Sequence, residues 1–399
     1  MYDATRVNAA GIESSVHVPP HRTRVAVAGI FFANGAGFAT WVPHIPMVQA
    51  SLGLAPSVLG AALLAMAVGA LVGIPLSGRA TVRFGSRAVV RVSAALFFAA
   101  LPLPVLAPSL PALVAALFLL GAGNGALDVA MNAQAVAVES RWAHPIMSSF
   151  HGMWSLGGLA GAGVAAAALA VGTTPVHHVF AATLVLAAGA AVAVARLLPP
   201  AADVGTDGPR FARPTRAIVG LGIVAFLALL SEGAVGDWSA LYLERSLGTT
   251  SAIAALGYAA FALTMAAGRF LGDTFVARYG DARVVRIATA SAAVGLGTAL
   301  VIGHPLVAIA GFAAVGFGIA NLIPIVFRAA GTLPGVAASQ GIAAVGTFGY
   351  VGFLAGPPTI GLVADVVTLP AALGVIVVSL GWIAYGSRYV RTTESPSLG

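Results

Sequence analysis

The feature that most constrains this chain is a succession of long apolar stretches that fills nearly the whole sequence. A helix of about 20 apolar residues is long enough to cross the hydrocarbon core of a bilayer. Only 8% of the 399 residues are charged, which is too little charge to cover a soluble globule. The sequence therefore predicts an all-α membrane protein with twelve transmembrane helices. The predicted spans, numbered 1 to 12 along the chain, cover residues 25–48, 57–78, 88–107, 110–137, 146–171, 177–197, 216–242, 252–274, 283–303, 305–328, 338–364 and 368–388.

The distribution of arginine, the only basic residue type present, predicts the orientation. Positively charged loops are retained on the cytoplasmic side of a membrane. If the N-terminus is cytoplasmic, the two tails and the loops after the even-numbered spans hold every arginine except Arg245, with Arg269 assigned to the loop after span 8. We therefore expect a multi-pass protein of the bacterial inner (plasma) membrane with both termini in the cytoplasm.

Composition excludes several other classes of protein. The net charge is +7, but the arginines are scattered between apolar spans instead of clustered with aromatic residues, so we expect no nucleic-acid binding. The absence of cysteine excludes disulfides, thiolate metal sites and cysteine nucleophiles, and we expect no metal site. The first 23 residues lack the pattern of a removable signal peptide.

An internal repeat divides the chain, because its two halves match without gaps at an offset of 195 residues. In spans 5 and 11, Gly157 and Gly161 recur as Gly352 and Gly356, and such glycine pairs predict close helix contacts. Repeats in membrane transport proteins usually place the substrate site at their interface. The expected organisation is a cytoplasmic tail (1–23), a six-helix bundle (24–197), a cytoplasmic linker (198–214), a second six-helix bundle (215–389) and a cytoplasmic tail (390–399).

Asp128 is the most informative polar residue, because an unpaired charge deep in an apolar helix is costly. Asn124, Asp128 and Asn132 recur every four residues, so they lie along one helix face and can line a hydrated path together. The functional interpretation of Asp128 is a proton-coupling carboxylate. The alternative is a structural carboxylate that is hydrogen-bonded to a neighbouring helix.

A second group of polar residues lies in the outer half of span 7. Glu232 is the deeper carboxylate and is expected to face the cavity, where it contacts the coupling proton or the solute. Asp237 and Trp238 are candidates for solute contact, but a charge beside tryptophan is also typical of a membrane interface.

Span 1 and span 5 supply four further candidates for solute binding. His151 titrates near neutral pH when it is unperturbed, so it can relay a proton or bind a hydroxyl group, or it can be a neutral histidine near the helix end. Trp154, Trp41 and Asn34 offer stacking and hydrogen-bonding surfaces suited to a sugar-like ligand, although each can equally be a packing residue.

The loops after spans 2 and 8 combine glycine with arginine, and they resemble the signature loop of the major facilitator superfamily. Gly78 in the first copy stands where the second copy has Asp273. The resemblance covers essentially the whole chain and implies two pseudo-symmetric six-helix bundles, a functional monomer and a latch role for these loops. The residues of the expected latch are Arg79, Arg83, Arg87, Arg269, Asp273, Arg278 and Arg283.

Within the superfamily, several spans are similar to the fucose-permease-like branch. In that branch a carboxylate and an asparagine stand four residues apart in span 4, as Asp128 and Asn132 do here. Asn321 in span 10 shares the resemblance, which implies that it contacts the solute. The segments Met147–Gly158 and Glu232–Ala240 resemble a mostly uncharacterised bacterial subgroup that includes a rhizopine-type permease.

These features predict a transporter that moves a small polar, sugar-like solute by alternating access, with the proton as coupling ion and no cofactor. One alternative is an exporter of drugs or metabolites that exchanges protons in the opposite sense. A receptor without turnover is a second alternative. An intramembrane hydrolase built on His151, Ser155 and Asp128 is a third, but no nucleophile elbow or oxyanion motif accompanies these residues.

Overall fold

The computed structural model of the protein describes residues 21–54, 56–200, 215–249 and 251–390. Most of the expected N-terminal tail, most of the linker and nearly all of the C-terminal tail lie outside these ranges. The orientation that rests on Arg6, Arg210, Arg213 and Arg391 therefore remains a prediction.

The described residues form helices and no strand, which confirms the expected all-α membrane fold. Helical segments correspond to all twelve predicted spans. Spans 1 to 6 are His21–Trp41, Pro56–Phe84, Ser86–Ala100, Leu110–Glu139, Met147–Ala170 and Pro175–Val194. Spans 7 to 12 are Arg216–Leu241, Ser251–Tyr279, Asp281–Ile302, Pro305–Ile319 with Leu322–Gly331, Ala338–Val366 and Leu369–Gly386.

Proline accounts for the main differences from the predicted boundaries. Span 1 ends at Trp41 rather than at residue 48, and a 3-10 turn and a short helix follow it at Val42–His44 and Ile45–Ser51. Pro43 lacks the N–H group that would continue the regular helix. Span 10 is interrupted between residues 319 and 322, where Pro324 cannot donate the backbone bond that would close the preceding turn.

In the described ranges, ten of the helical segments are long and apolar enough to cross a membrane by length and composition. The remaining two spans, 5 and 8, are helices of 24 and 29 residues, which exceed the roughly 20 residues that a crossing requires. Both carry polar side chains that the functional interpretation uses, among them His151 in span 5 and Arg269 in span 8.

Helix packing repeats between the two halves. Span 2 packs against span 4, and span 8 packs against span 10 in the same way. Likewise, spans 5 and 6 pack against span 1, and spans 11 and 12 pack against span 7. Between the halves, span 2 contacts span 11 and span 5 contacts span 8. The result is two pseudo-symmetric six-helix bundles, whose shared seam is formed mainly by these four spans.

The glycine pairs of the repeat bring helices into backbone contact. A Cβ atom added at Gly157 would lie 2.1 Å from the carbonyl oxygen of Phe32 in span 1. At the equivalent Gly352, it would lie 2.1 Å from the carbonyl oxygen of Phe226 in span 7. Only glycine permits this approach, so the same contact positions span 5 and span 11 in their bundles.

We expect Gly157→Ala to destabilise the protein by about 1–3 kcal/mol, because the added methyl group overlaps a backbone atom that has no space to move. Gly163→Ala is the matched control, since a Cβ atom at this position of the same helix meets nothing within 4 Å. Thermal unfolding of both purified variants in one detergent checks this expectation. Equal melting temperatures for the two variants would contradict it.

Candidate functional site

Four polar side chains connect the two bundles in the interior of the helical assembly. We call Asn34, Asn124, Trp154 and Tyr350 the amide cluster. The indole N–H of Trp154 donates to Asn34 Oδ1 at 2.9 Å, and Asn34 Nδ2 donates to Asn124 Oδ1 at 2.9 Å. Asn124 Nδ2 then donates to the hydroxyl of Tyr350 at 3.4 Å. The cluster thus joins spans 1, 4 and 5 of the first bundle to span 11 of the second.

A second group, which we call the carboxyl chain, consists of Asp128, Asn132 and His151. Asn132 Nδ2 donates to the carboxylate of Asp128 at 3.0 Å, and His151 Nε2 lies 3.1 Å from Asn132 Oδ1. Because an amide oxygen only accepts hydrogen bonds, His151 carries its proton on Nε2 in this arrangement. Among the described residues, no arginine forms a salt bridge with Asp128.

The carboxyl chain runs from the membrane interior toward one face. We define the arginine-rich face as the side on which the odd-numbered spans begin and the even-numbered spans end. At a rise of 1.5 Å per residue, Asp128 lies about 16 Å from the end of span 4, and His151 lies about 6 Å from the start of span 5. The side chain of His151 is buried, and its ring packs against Phe31 and Phe327.

Arg269 forms a third group, and its position corrects its assignment to the loop after span 8. The helix of span 8 continues for ten residues beyond it, which places Arg269 about 15 Å inside the arginine-rich face. Its guanidinium donates to Ser155 Oγ at 2.7 Å and lies 5.9 Å from the ring of Trp154. Glu232 and Tyr258 interact with it electrostatically. We call Arg269, Ser155, Glu232 and Tyr258 the arginine site.

The remaining candidates for solute contact lie away from these groups. Trp41 is 2% exposed and belongs to the apolar core at the end of span 1. Asp237 is exposed and interacts electrostatically with Tyr258 of the arginine site. Trp238 packs near Gly361 of span 11.

Asn321 also lies elsewhere, because it occupies the break in span 10 and faces span 8. Its amide donates to the backbone oxygen of Gly268 at 2.9 Å. The residue lines a lateral cavity of about 420 Å³ between spans 8, 9 and 10. The structure therefore does not bring Asn321 to the amide cluster, and its contact with the solute stays a prediction.

The start of span 5 is held by one carboxylate from each bundle. Glu139, at the end of span 4, accepts the N–H groups of Ile146 and Met147, each at 2.6 Å. Asp273, from span 8, accepts the N–H groups of Ser148 and Ser149 at 2.9 and 2.8 Å and the Ser149 hydroxyl group as well. Four N–H groups at a helix start that have no partner within the helix are thereby satisfied.

An ion-pair network adjoins this helix start and also crosses between the bundles. The buried guanidinium of Arg328 in span 10 lies 3.5 Å from Glu139 and forms a second, shorter contact with Asp281. We call Glu139, Asp273, Asp281 and Arg328 the acidic latch. Sequence reasoning found only Asp273 of these four, because Glu139 and Asp281 stand singly at helix ends and their shared partner is distant in the chain.

The first copy of the signature loop joins the bundles differently. Ser339 of span 11 donates its hydroxyl to the Gly78 carbonyl at 3.1 Å, and a Cβ atom at Gly78 would lie 2.9 Å from the side chain of Ala343. The absence of a side chain at Gly78 therefore lets span 11 pack directly on span 2. Of the expected latch arginines, Arg87 donates to the Ala195 carbonyl at 2.9 Å.

Besides Arg87 and Arg269, the expected latch arginines lie near the arginine-rich face. Arg83 and Arg278 stack on the aromatic rings of the next residues, Phe84 and Tyr279, and the latter lines the lateral cavity together with Arg283. Arg79 is exposed at the end of span 2.

Comparisons with known proteins agree with this architecture. A family model described as the Major Facilitator Superfamily matches residues 27–230. An uncharacterised MFS-type transporter of Yersinia pestis is 38% identical over 360 residues, which are 90% of this chain and 94% of that protein. Membrane protein MosC of Rhizobium meliloti is 37% identical over 375 residues, which are 92% of this chain and 90% of that protein.

Solved structures share the fold at low sequence identity. The transporter FucP in its outward conformation superposes with a TM-score of 0.76 at 17% identity, covering 95% of this chain and 100% of that one. The proton:xylose symporter XylE gives a TM-score of 0.70 at 14% identity, covering 93% and 95%. These findings confirm the resemblance that the loops and spans indicated, and they remove the hydrolase alternative because the relatives are transporters. The chain belongs to the major facilitator superfamily of membrane transporters.

Proposed function

We propose that this protein is a proton symporter that moves a small polar organic solute by alternating access, with the arginine-rich face in the cytoplasm. The observation that carries the proposal is the carboxyl group of Asp128. It lies in the middle of a membrane span, its side chain is bonded to Asn132, and no arginine forms a salt bridge with it in the described part of the chain.

A carboxyl group in this position gains from binding a proton. A charged aspartate at the centre of a membrane helix costs about 2.5–3.5 kcal/mol on insertion scales. Asp128 is therefore protonated where the surroundings are dry and ionised where water reaches it. His151 is a titratable side chain between Asp128 and the arginine-rich face, so it can receive the proton once water reaches it from that side.

The amide cluster has the chemistry of a site for hydroxyl groups. Asn34 and Asn124 each offer a donor and an acceptor, and the Tyr350 hydroxyl offers both at one atom. The ring of Trp154 adds a flat apolar surface of the kind on which a sugar ring stacks. Solved proteins with this fold include a fucose:proton symporter and a proton:xylose symporter, which supports a sugar-like solute and proton coupling.

The acidic latch supplies the gate that alternating access requires. It connects span 5 of the first bundle to spans 8, 9 and 10 of the second at the arginine-rich face. In this arrangement the face is closed, and release of solute to it requires Asp273 to leave the start of span 5.

We expect Asp128→Asn to abolish solute-driven proton movement while solute exchange persists, because the amide keeps the shape but does not titrate. The measurement uses proteoliposomes with a pH-sensitive dye inside, to which sugars, polyols and amphipathic drugs are added singly. Entry of a transported solute acidifies the lumen in the wild-type protein and leaves the lumen pH unchanged in the variant.

Asp365→Asn is the matched control, since Asp365 is an exposed aspartate near the end of span 11. An Asp128→Asn protein that still acidifies the lumen would remove this residue from proton coupling. Alkalinisation of the lumen during solute entry into wild-type vesicles would instead identify an exporter that exchanges the solute for protons.

The latch generates a separate prediction about conformation. We expect Asp273→Ala to shift the protein toward a state open at the arginine-rich face, because the N–H groups of Ser148 and Ser149 then lose their acceptor and only Glu139 still holds the helix start. The chain has no cysteine, so spin labels can be attached to Ser140→Cys and Thr332→Cys, which are exposed positions on opposite bundles.

Electron–electron distance measurements on this labelled pair report the opening directly. The longer-distance population grows in Asp273→Ala and stays at the wild-type level in the control Asp365→Ala, which removes an aspartate outside the latch. If Asp273→Ala has the same distance distribution as the wild type, the latch does not set the conformational equilibrium.

A further inference from the structure

Arg269 is a buried cation whose hydrogen-bonding capacity is largely unused. The residue is 8% exposed, and of its five N–H donors one bonds to Ser155 in the contacts of the described residues. Its Nε is buried and has no hydrogen-bond partner. Donors of a buried charged group that remain unpaired are costly, so the site is incomplete as it stands.

The charge of Arg269 is only loosely balanced. Glu232 is the carboxylate that interacts with it electrostatically, but the two side chains do not form a salt bridge in the described part of the chain. An arginine fork matches a carboxylate group in a two-point contact. The separation between Glu232 and Arg269 therefore leaves the fork available to an acidic group from outside the protein.

The repeat shows that the fold does not need this arginine. At the offset of 195 residues, the counterpart of Arg269 is Ile74, which is fully buried in an apolar cluster, and the counterpart of Glu232 is Gly37. Spans 2 and 4 pack in the first bundle as spans 8 and 10 do in the second, without a charge at this position. The arginine is thus an addition of the second bundle and not a requirement of helix packing.

Trp154 links the arginine site to the amide cluster. One side chain carries both contacts, because its indole N–H donates to Asn34 while its ring lies 5.9 Å from the Arg269 guanidinium. A solute that stacks on Trp154 is therefore within reach of hydroxyl-binding amides and of a buried cation.

We propose that the solute is a hydroxylated carboxylic acid of the sugar-acid type, whose carboxylate binds the Arg269 fork while its hydroxyl groups bind the amide cluster. This inference rests on the proposed transport function and names its substrate class. A monoanion that moves together with one proton carries no net charge, so the membrane potential does not oppose its uptake.

The test compares acids with neutral sugars of the same skeleton. Galacturonate is paired with galactose and gluconate with glucitol, and binding to the purified full-length protein is followed by tryptophan fluorescence and by thermal shift. We expect each acid to bind at millimolar concentrations or below, and to bind about tenfold or more tightly than its neutral partner, since the contact is charge-assisted.

Arg269→Gln removes the charge and is expected to abolish this preference while leaving weak binding of the neutral sugars. Arg269→Lys keeps the charge without the two-point fork and is expected to give an intermediate preference. Arg196→Gln is the matched control, because it removes an exposed arginine at the end of span 6. The ratio of acid to neutral affinity is the readout, since a purely structural role of Arg269 would lower both affinities alike.

Three results would overturn the inference: equal or tighter binding of the neutral sugars, an acid preference that survives in Arg269→Gln, or no binding of either acid at millimolar concentrations. The proton measurement on vesicles separates this failure from failure of the proposed function. Proton uptake with galactose and no acid preference leaves the symporter intact and removes the acid subsite. Acid binding that depends on Arg269 but moves no protons supports the acid subsite and removes proton symport.

Discussion

The constraint on which the structure depends is the cost of a charge inside the hydrocarbon region, where a charged group is stable only if it is paired, neutral or hydrated. The polar residues inside the bundles meet this constraint in different ways. Arg328 lies between two acids at the arginine-rich face. Arg269 shares its surroundings with Glu232 but keeps unused donors. Asp128 has an amide beside it in place of a cation, so it is stable in the interior as a neutral acid. We propose that these three solutions correspond to a gate, a binding group and a proton carrier.

Duplication explains the scaffold, and departures from duplication mark the functional groups. The glycine contacts between spans 5 and 1 recur between spans 11 and 7 with the same geometry, because both halves need the same close packing. Positions that do not recur behave differently. Gly78 allows direct packing of span 11, whereas its counterpart Asp273 holds the start of span 5. Ser155 bonds Arg269, whereas its counterpart Tyr350 completes the amide cluster. These non-repeating positions are therefore the ones in which the two halves differ chemically.

Much of the fold was predictable from the sequence, because the lengths of the apolar stretches and the internal repeat can be read from it directly. The spacing of Asn124, Asp128 and Asn132 likewise placed them on one helix face, and the structure shows Asn132 bonded to Asp128 along that face and Asn124 bonded across to span 11. Contacts between distant spans were not predictable in the same way. Arg269 was assigned to a loop because its neighbours resemble a loop motif, although the predicted span 252–274 already contains it, and the helix ends only at Tyr279. Tyr350 gave no local signal, since its role depends on an asparagine in the opposite bundle.

Span 5 connects the acidic latch to the polar groups of the candidate site. Its start is held by Glu139 and Asp273. Within about 12 Å of that start, the helix contributes one residue to each group: His151 to the carboxyl chain, Trp154 to the amide cluster and Ser155 to the arginine site. A helix moves as a rigid element over such a distance, so release of its start from the latch displaces all three contacts together. In the proposed mechanism, solute and proton bind to these same three side chains. Each ligand therefore biases the latch by the difference between its affinities for the closed and the open position. Coupling between proton, solute and gate then requires no longer pathway than the first turns of one helix.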